Sequence, residues 1–199
     1  MLRLLIILYV CLLQACSESP SLNFVPHDGV VVAFGDSLTV GVGASSEANY
    51  PSVLEELSYR RVVNAGVSGE VTKDGLLRLP TVLAEENPNL VILLQGGNDI
   101  LRNKKHQKVK QNLADMITMI QAHGSDVILI GVPEKKLFSD VAPLYEELAD
   151  EFNLVLIDET LSELLKDNEY KSDAVHLNAK GYKKLAEVIH EKLTEFGAF

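Results

Sequence analysis

Five residues of the types that acyl transfer uses stand in four short segments far apart along the chain: Ser37, Gly69, Asn98, and the pair Asp173 and His176. A serine hydroxyl attacks a carbonyl only when a base takes its proton, and an imidazole steadied by a carboxylate is such a base. Backbone N–H groups and a side-chain amide are the donors that hold the oxygen anion formed by the attack. Together these residue types point to hydrolysis of a carboxylic ester or thioester through an acyl-serine intermediate.

Each segment taken alone has a second reading. Ser37 lies in Gly35-Asp36-Ser37-Leu38, where glycine permits a tight turn and the N–H groups of the following turn are free to meet an oxyanion. A serine after a strand also serves as a helix N-cap. Gly69 closes Asn64-Ala65-Gly66-Val67-Ser68-Gly69, either bringing a bare N–H close to a substrate or making an ordinary turn. Asn98, in Gly96-Gly97-Asn98-Asp99, either aims its amide at the same point or takes a left-handed loop position. Asp99 is read as steadying that loop or capping the next helix. Asp173 and His176 suit a base and its orienting acid, a loop salt bridge, or half of a metal site. The other histidines, His27, His106, His123 and His190, have no ligand spacing with His176, so neither a metal nor another cofactor is expected.

These segments follow apolar runs that read as strands. Val30–Phe34 is continuous and β-branched, as expected of a strand buried on both faces, and Leu90–Gln95 is the clearest such run. Arg61–Asn64, Val127–Ile130 and Leu154–Ile157 complete five. Helical stripes alternate with them. Val53, Leu54 and Leu57 share a face after Pro51, and Leu76, Leu77, Leu79, Val82 and Leu83 precede a stop at Asn87 and Pro88. Val109, Leu113, Met116, Ile117 and Ile120 lead to Gly124; Leu144, Leu148 and Phe152, then Leu161, Leu164 and Leu165, mark two more helices. Tyr182, Leu185, Ala186, Ile189 and Leu193 form the last stripe, capped by Asn178. Strands alternating with helices predict an α/β fold, a three-layer α/β/α sandwich around a five-stranded parallel sheet. Ligands then bind beyond the carboxyl ends of the strands, where the candidate residues fall.

The four segments in this order resemble the GDSL esterases, also called SGNH hydrolases, over essentially the whole of residues 29–199. The stretch from Val63-Asn64-Ala65 to Leu79-Pro80, with Gly96-Gly97-Asn98-Asp99-Ile100-Leu101-Arg102, is most similar to the branch containing bacterial thioesterase I, lysophospholipase L1 and arylesterase. The resemblance implies a flavodoxin-like strand order. It implies Ser37, His176 and Asp173 as catalytic triad, and an oxyanion hole from the N–H groups of Ser37 and Gly69 with the Asn98 amide. Leu177 departs from the proline that usually follows the family's histidine. A carbohydrate O-acetylesterase, or a lipid-anchored binding protein without turnover, are the competing readings.

Residues 1–15 read as an export signal. Arg3 precedes the apolar run Leu4–Leu13, which is shorter than the roughly 20 apolar residues of a membrane-spanning helix. Leu13-Gln14-Ala15-Cys16 resembles a lipobox, making Cys16 the candidate lipidation site; ordinary cleavage after Ala15 is the alternative. Residues 16–28, with Pro20 and Pro26, suit a tether between membrane and domain. The expected location is the periplasmic face of the bacterial outer membrane, or the soluble periplasm without the lipid. The only cysteines are Cys11 and Cys16, so the domain has no thiol chemistry or disulfide of its own. A net charge of −10 over 199 residues disfavours nucleic acid, and nothing signals assembly beyond a monomer. The expected partners are a small acyl ester or thioester and, through the lipid, a membrane.

Overall fold

In the computed structural model, which describes residues 19–134 and 141–199, five segments form one parallel sheet. They are β1 (Val30–Gly35), β2 (Arg61–Gly66), β3 (Leu90–Leu94), β4 (Asp126–Ile130) and β5 (Val155–Ile157), in the order β2-β1-β3-β4-β5. This is the flavodoxin-like order, and the expected α/β architecture is observed. Parallel strands covered on both faces must be apolar throughout, and Val31 to Phe34, all of β3, and Ile128 to Ile130 are essentially without solvent contact.

The connecting helices are α1 (Ser37–Val40), α2 (Tyr50–Ser58), α3 (Thr72–Glu86), α4 (Gly97–Leu101), α5 (His106–His123), α6 (Leu144–Phe152), α7 (Thr160–Lys166) and α8 (Ala179–Glu195). α2 packs with α8, and α3 and α6 pack with α5, giving the outer layers. The stripes of α5 and α8 are buried as their spacing predicts. The Asn178 side chain accepts from the Gly181 N–H at 3.0 Å and caps α8. α3 and α5 end on left-handed residues, Asn87 and Gly124.

Some expectations change. Leu77 is 73% exposed, because α3 buries Thr72, Gly75, Leu79 and Leu83 instead. Leu57 is exposed on α2, whose inner face is Tyr50, Pro51 and Leu54. Residues 97–101, read as loop, form α4 after the left-handed Gly96. The expected signal sequence 1–15 and Cys16 lie outside the described residues.

The tether reading of residues 16–28 meets a docked segment from Leu22 onward. Leu22 and Val25 donate their N–H groups to the carbonyls of Phe196 and Ala198, at 3.0 and 2.9 Å. The Asn23 side chain pairs with Asp126 at 3.1 Å, and Val25 is buried. A buried apolar residue whose N–H and carbonyl are both bonded to the domain is part of the fold rather than of a free linker.

The strand order reverses between β1 and β3, opening a crevice at their carboxyl ends. β1 and β3 meet there so closely that a Cβ at Gly35 would overlap both the Leu94 carbonyl and Thr39 Oγ1. Gly35→Ala is therefore expected to destabilise the domain by about 2 kcal/mol or more, since neither obstacle is a flexible side-chain end. Urea unfolding checks this; an unchanged midpoint would contradict the close approach.

Candidate active site

The turn after β1 is built by Asp36, not by Ser37. Asp36 caps α1, its Oδ1 accepting from the Leu38 N–H at 3.0 Å, while its carbonyl accepts from the N–H groups of Thr39 and Val40. The expectation that the N–H groups of this turn are free is thus corrected for three of them. Ser37 is left as the first-turn N–H outside the cap. Its side chain stands at the start of α1, and Ser37 Oγ lies 3.0 Å from His176 Nε2.

His176 comes from the loop before α8. Its Nδ1 lies 2.8 Å from Asp173 Oδ2, and Asp173 Oδ1 accepts from the N–H groups of Val175 and His176 at 2.8 and 2.9 Å. Burial acts to raise the Asp173 pKa, but the imidazole and the two backbone donors outweigh it and hold the carboxyl below its ordinary value. The loop is anchored by Leu177, which is fully buried and bridged to Lys171. Burial of leucine here fixes the turn where the resembled family usually has proline.

Asn98 is the second residue of α4, just after β3, and its Nδ2 donates to Asp36 Oδ2 at 3.1 Å. That contact uses one of the two amide hydrogens and leaves the other for a ligand. Asp36 is 3% exposed, and this burial pushes its pKa up to about 6, against the lowering effects of the Leu38 N–H and the Asn98 amide. Asp99 is also buried. It accepts from the Thr72 N–H and hydroxyl at 2.7 and 3.1 Å, so it caps α3 rather than the helix that follows it.

Gly69 takes the left-handed φ of +78°. Its loop is fixed from several sides: the Val67 N–H donates to the Gly35 carbonyl, and the Gly69 carbonyl accepts from Arg102 at 3.0 Å. Next to it, the buried Glu70 receives two bonds from Arg78 at 2.9 Å and one from Gln95 at 2.6 Å. The Arg78 guanidinium also lies 4.2 Å from the Phe34 ring, beneath the sheet's end.

Ser37, Asn98 and His176 line one cleft of about 450 Å³, with Asp173 behind the imidazole. Gly69 lies outside that lining; Arg102 and the Asp99–Thr72 contact tie its loop to α4, whose Gly97, Asn98, Ile100 and Leu101 line the cleft. Leu38, Ile100, Leu101, Val132, Pro133 and Leu165 give the cleft an apolar wall. The contribution of α7, through Ser162 and Leu165, has no forewarning in the chain order. The buried carboxylate of Asp36 has no assigned role in the sequence reading, and its place between Gly35 and Ser37 is the signal that marks it. Among the described residues no group of three metal-ligating side chains occurs.

Residues 33–184 match the sequence profile of the GDSL-like lipase/acylhydrolase family. The chain belongs to that family. It is 30% identical to an arylesterase of Vibrio mimicus over 98% of this chain and 99% of that one. It is 30% identical to the thioesterase 1/protease 1/lysophospholipase L1 of Escherichia coli over 82% of each. Among solved structures, TesA superposes with a TM-score of 0.75 at 27% identity, covering 84% of this chain and 99% of TesA. As a GDSL-family member the protein is an esterase-type hydrolase acting on small-molecule esters.

The raised pKa of Asp36 has a defined sign in the pH dependence of stability. Its carboxyl binds a proton more tightly folded than unfolded, so its contribution is fully present below about pH 4 and is lost as pH rises through about 6. Asp173, held low, contributes in the opposite sense and below that window. Between pH 4 and 7, wild type should lose on the order of 2 kcal/mol relative to Asp36→Asn, which cannot ionise. Parallel stability curves from urea titrations at several pH values would refute the burial of an ionisable group at this position.

Proposed function

We propose that the protein hydrolyses carboxylic esters or thioesters through an acyl-serine intermediate. The observation that carries this reading is the unbroken chain from Ser37 Oγ to His176 Nε2 at 3.0 Å and from His176 Nδ1 to Asp173 Oδ2 at 2.8 Å. Asp173 accepts from Nδ1–H, which leaves Nε2 with its lone pair toward the serine. As Ser37 Oγ bonds to the substrate carbonyl carbon, Nε2 takes the hydroxyl proton. The carbonyl oxygen becomes an anion held by the N–H groups of Ser37 and Gly69 and by the second hydrogen of the Asn98 amide.

Collapse of this tetrahedral species breaks the bond to the alkoxide or thiolate, which leaves with the proton from Nε2–H. Water then attacks the acyl-serine with Nε2 again accepting the proton, releasing the acid and free Ser37. Asp36 and Asp99 touch no reacting atom in this sequence. Asp36 orients the amide of Asn98, and Asp99 ties the Asn98 helix to the start of the segment that follows Gly69.

The apolar wall formed by Leu38, Ile100, Val132 and Leu165 favours a hydrocarbon acyl chain over a sugar beside the serine. This supports an arylesterase, thioesterase or lysophospholipase type of substrate over a carbohydrate O-acetate. The amino-terminal pattern Leu13-Gln14-Ala15-Cys16 adds export with lipid on Cys16 to the reading.

The test is turnover of a p-nitrophenyl ester by two purified variants. Ser37→Ala should abolish it with the fold intact by circular dichroism. Asn98→Ala should slow it on the order of 10²-fold, the usual effect of removing one oxyanion donor. Wild-type turnover by Ser37→Ala excludes the nucleophile assignment, and a loss of threefold or less in Asn98→Ala excludes its amide from the oxyanion site.

A further inference from the structure

The amino-terminal segment is fastened to the face of the domain opposite the cleft. Asn23 pairs with Asp126, the first residue of β4, and Val30, the first of β1, donates to Asn89 just before β3. Ser37 and Asn98 stand beyond the other ends of β1 and β3. The fastening is substantial: besides the bonds to Phe196 and Ala198, the Val25 carbonyl accepts from buried Arg60 at 2.8 Å. The Arg60 guanidinium also lies 5.5 Å from the Phe24 ring and 4.4 Å from the Phe199 ring.

The same face carries the most exposed aromatic side chains among the described residues. Phe24 is 63% exposed and Tyr59, which ends α2 just before β2, is 82% exposed. Beyond the carboxyl ends of β1, β2 and β3 the exposed apolar residues Val40, Val67 and Leu101 reach only 37–41%. A tyrosine, with an apolar ring and a polar hydroxyl, settles at the boundary between lipid and water, and an exposed phenylalanine on the same face adds apolar area for the acyl region.

From Cys16 to the fastened Leu22 there are six peptide links, which span about 20 Å at full extension. A six-residue strand such as β1 alone occupies roughly that length, about 17–20 Å. A lipid on Cys16 therefore cannot turn the cleft to its own bilayer without stretching the link fully along the flank of the sheet. With the link relaxed, the amino-end face meets the lipid first.

We infer that the protein rests on the bilayer that holds its Cys16 acyl chains through the face bearing Phe24 and Tyr59, with the cleft opening toward water. This rests on the lipidated reading of Cys16. The substrates it meets are then esters arriving from the aqueous side, not those embedded in the anchoring membrane.

The chain contains no tryptophan, so a single introduced one reports its own surroundings. The full mature lipoprotein is placed in phosphatidylcholine vesicles with brominated acyl chains, as Tyr59→Trp for the amino-end face and as Val67→Trp, just after β2, for the face at the carboxyl ends of the strands. Tyr59→Trp emission should fall about twofold or more on anchoring and Val67→Trp emission should hold, because bromine quenches only rings at lipid depth. The drop should vanish when Cys16→Ser is added.

Acyl mass on the amino-terminal peptide with Val67→Trp quenched as strongly as Tyr59→Trp, or with neither quenched, overturns the orientation while leaving lipidation in place. An amino terminus without acyl mass removes the lipidated reading itself, and the orientation falls with it.

Discussion

The hydrogen bond from Ser37 Oγ to His176 Nε2 joins residues 139 positions apart, and the proposed chemistry depends on holding it. Ser37 is placed by a turn in which glycine lets β1 approach β3 and a buried carboxylate caps the helix that follows. His176 is placed by a loop closed on Asp173 and pinned by buried Leu177. Two rigid ends of chain, brought to one crevice by the sheet, determine a distance that loops alone would not keep.

Carboxylates organise the same crevice at three depths. Asp173 is half-exposed and aligns the imidazole from outside. Asp36 is buried and holds the Asn98 amide, at the expense of a pKa raised to about 6. Asp99 is buried and joins the helix carrying Asn98 to the start of α3. The two buried acids thus link the ends of β1, β3 and the segment after β2. The proposed oxyanion role asks for such links, since its donors would have to converge on one oxygen.

Much of this was legible from residue order. The strands announce themselves because sheets covered on both sides demand unbroken apolar runs, and α5 and α8 do so through long stripes at helical spacing. α4 escaped for a physical reason: five residues opened by glycines carry no period to detect. Leu57 and Leu77 belong to apolar stripes yet face outward in the folded helices, since short apolar clusters fit more than one helical face. The docking of Leu22–Val25 was hidden because its partners lie at the far end of the chain, among Phe196 to Ala198. The residues of the candidate site were nameable from their types, but Asp36's hold on Asn98 is a contact across 62 positions that no local pattern encodes.

The central claim is that Ser37 is activated by His176, and a covalent trap reads this directly. A fluorophosphonate reacts with a serine whose proton is being withdrawn, and peptide mass spectrometry locates the adduct. A single adduct on the peptide bearing Ser37, formed by wild type and lost in His176→Ala, is the expected result. An adduct on another residue, or labelling of Ser37 at an equal rate without the imidazole, would contradict it.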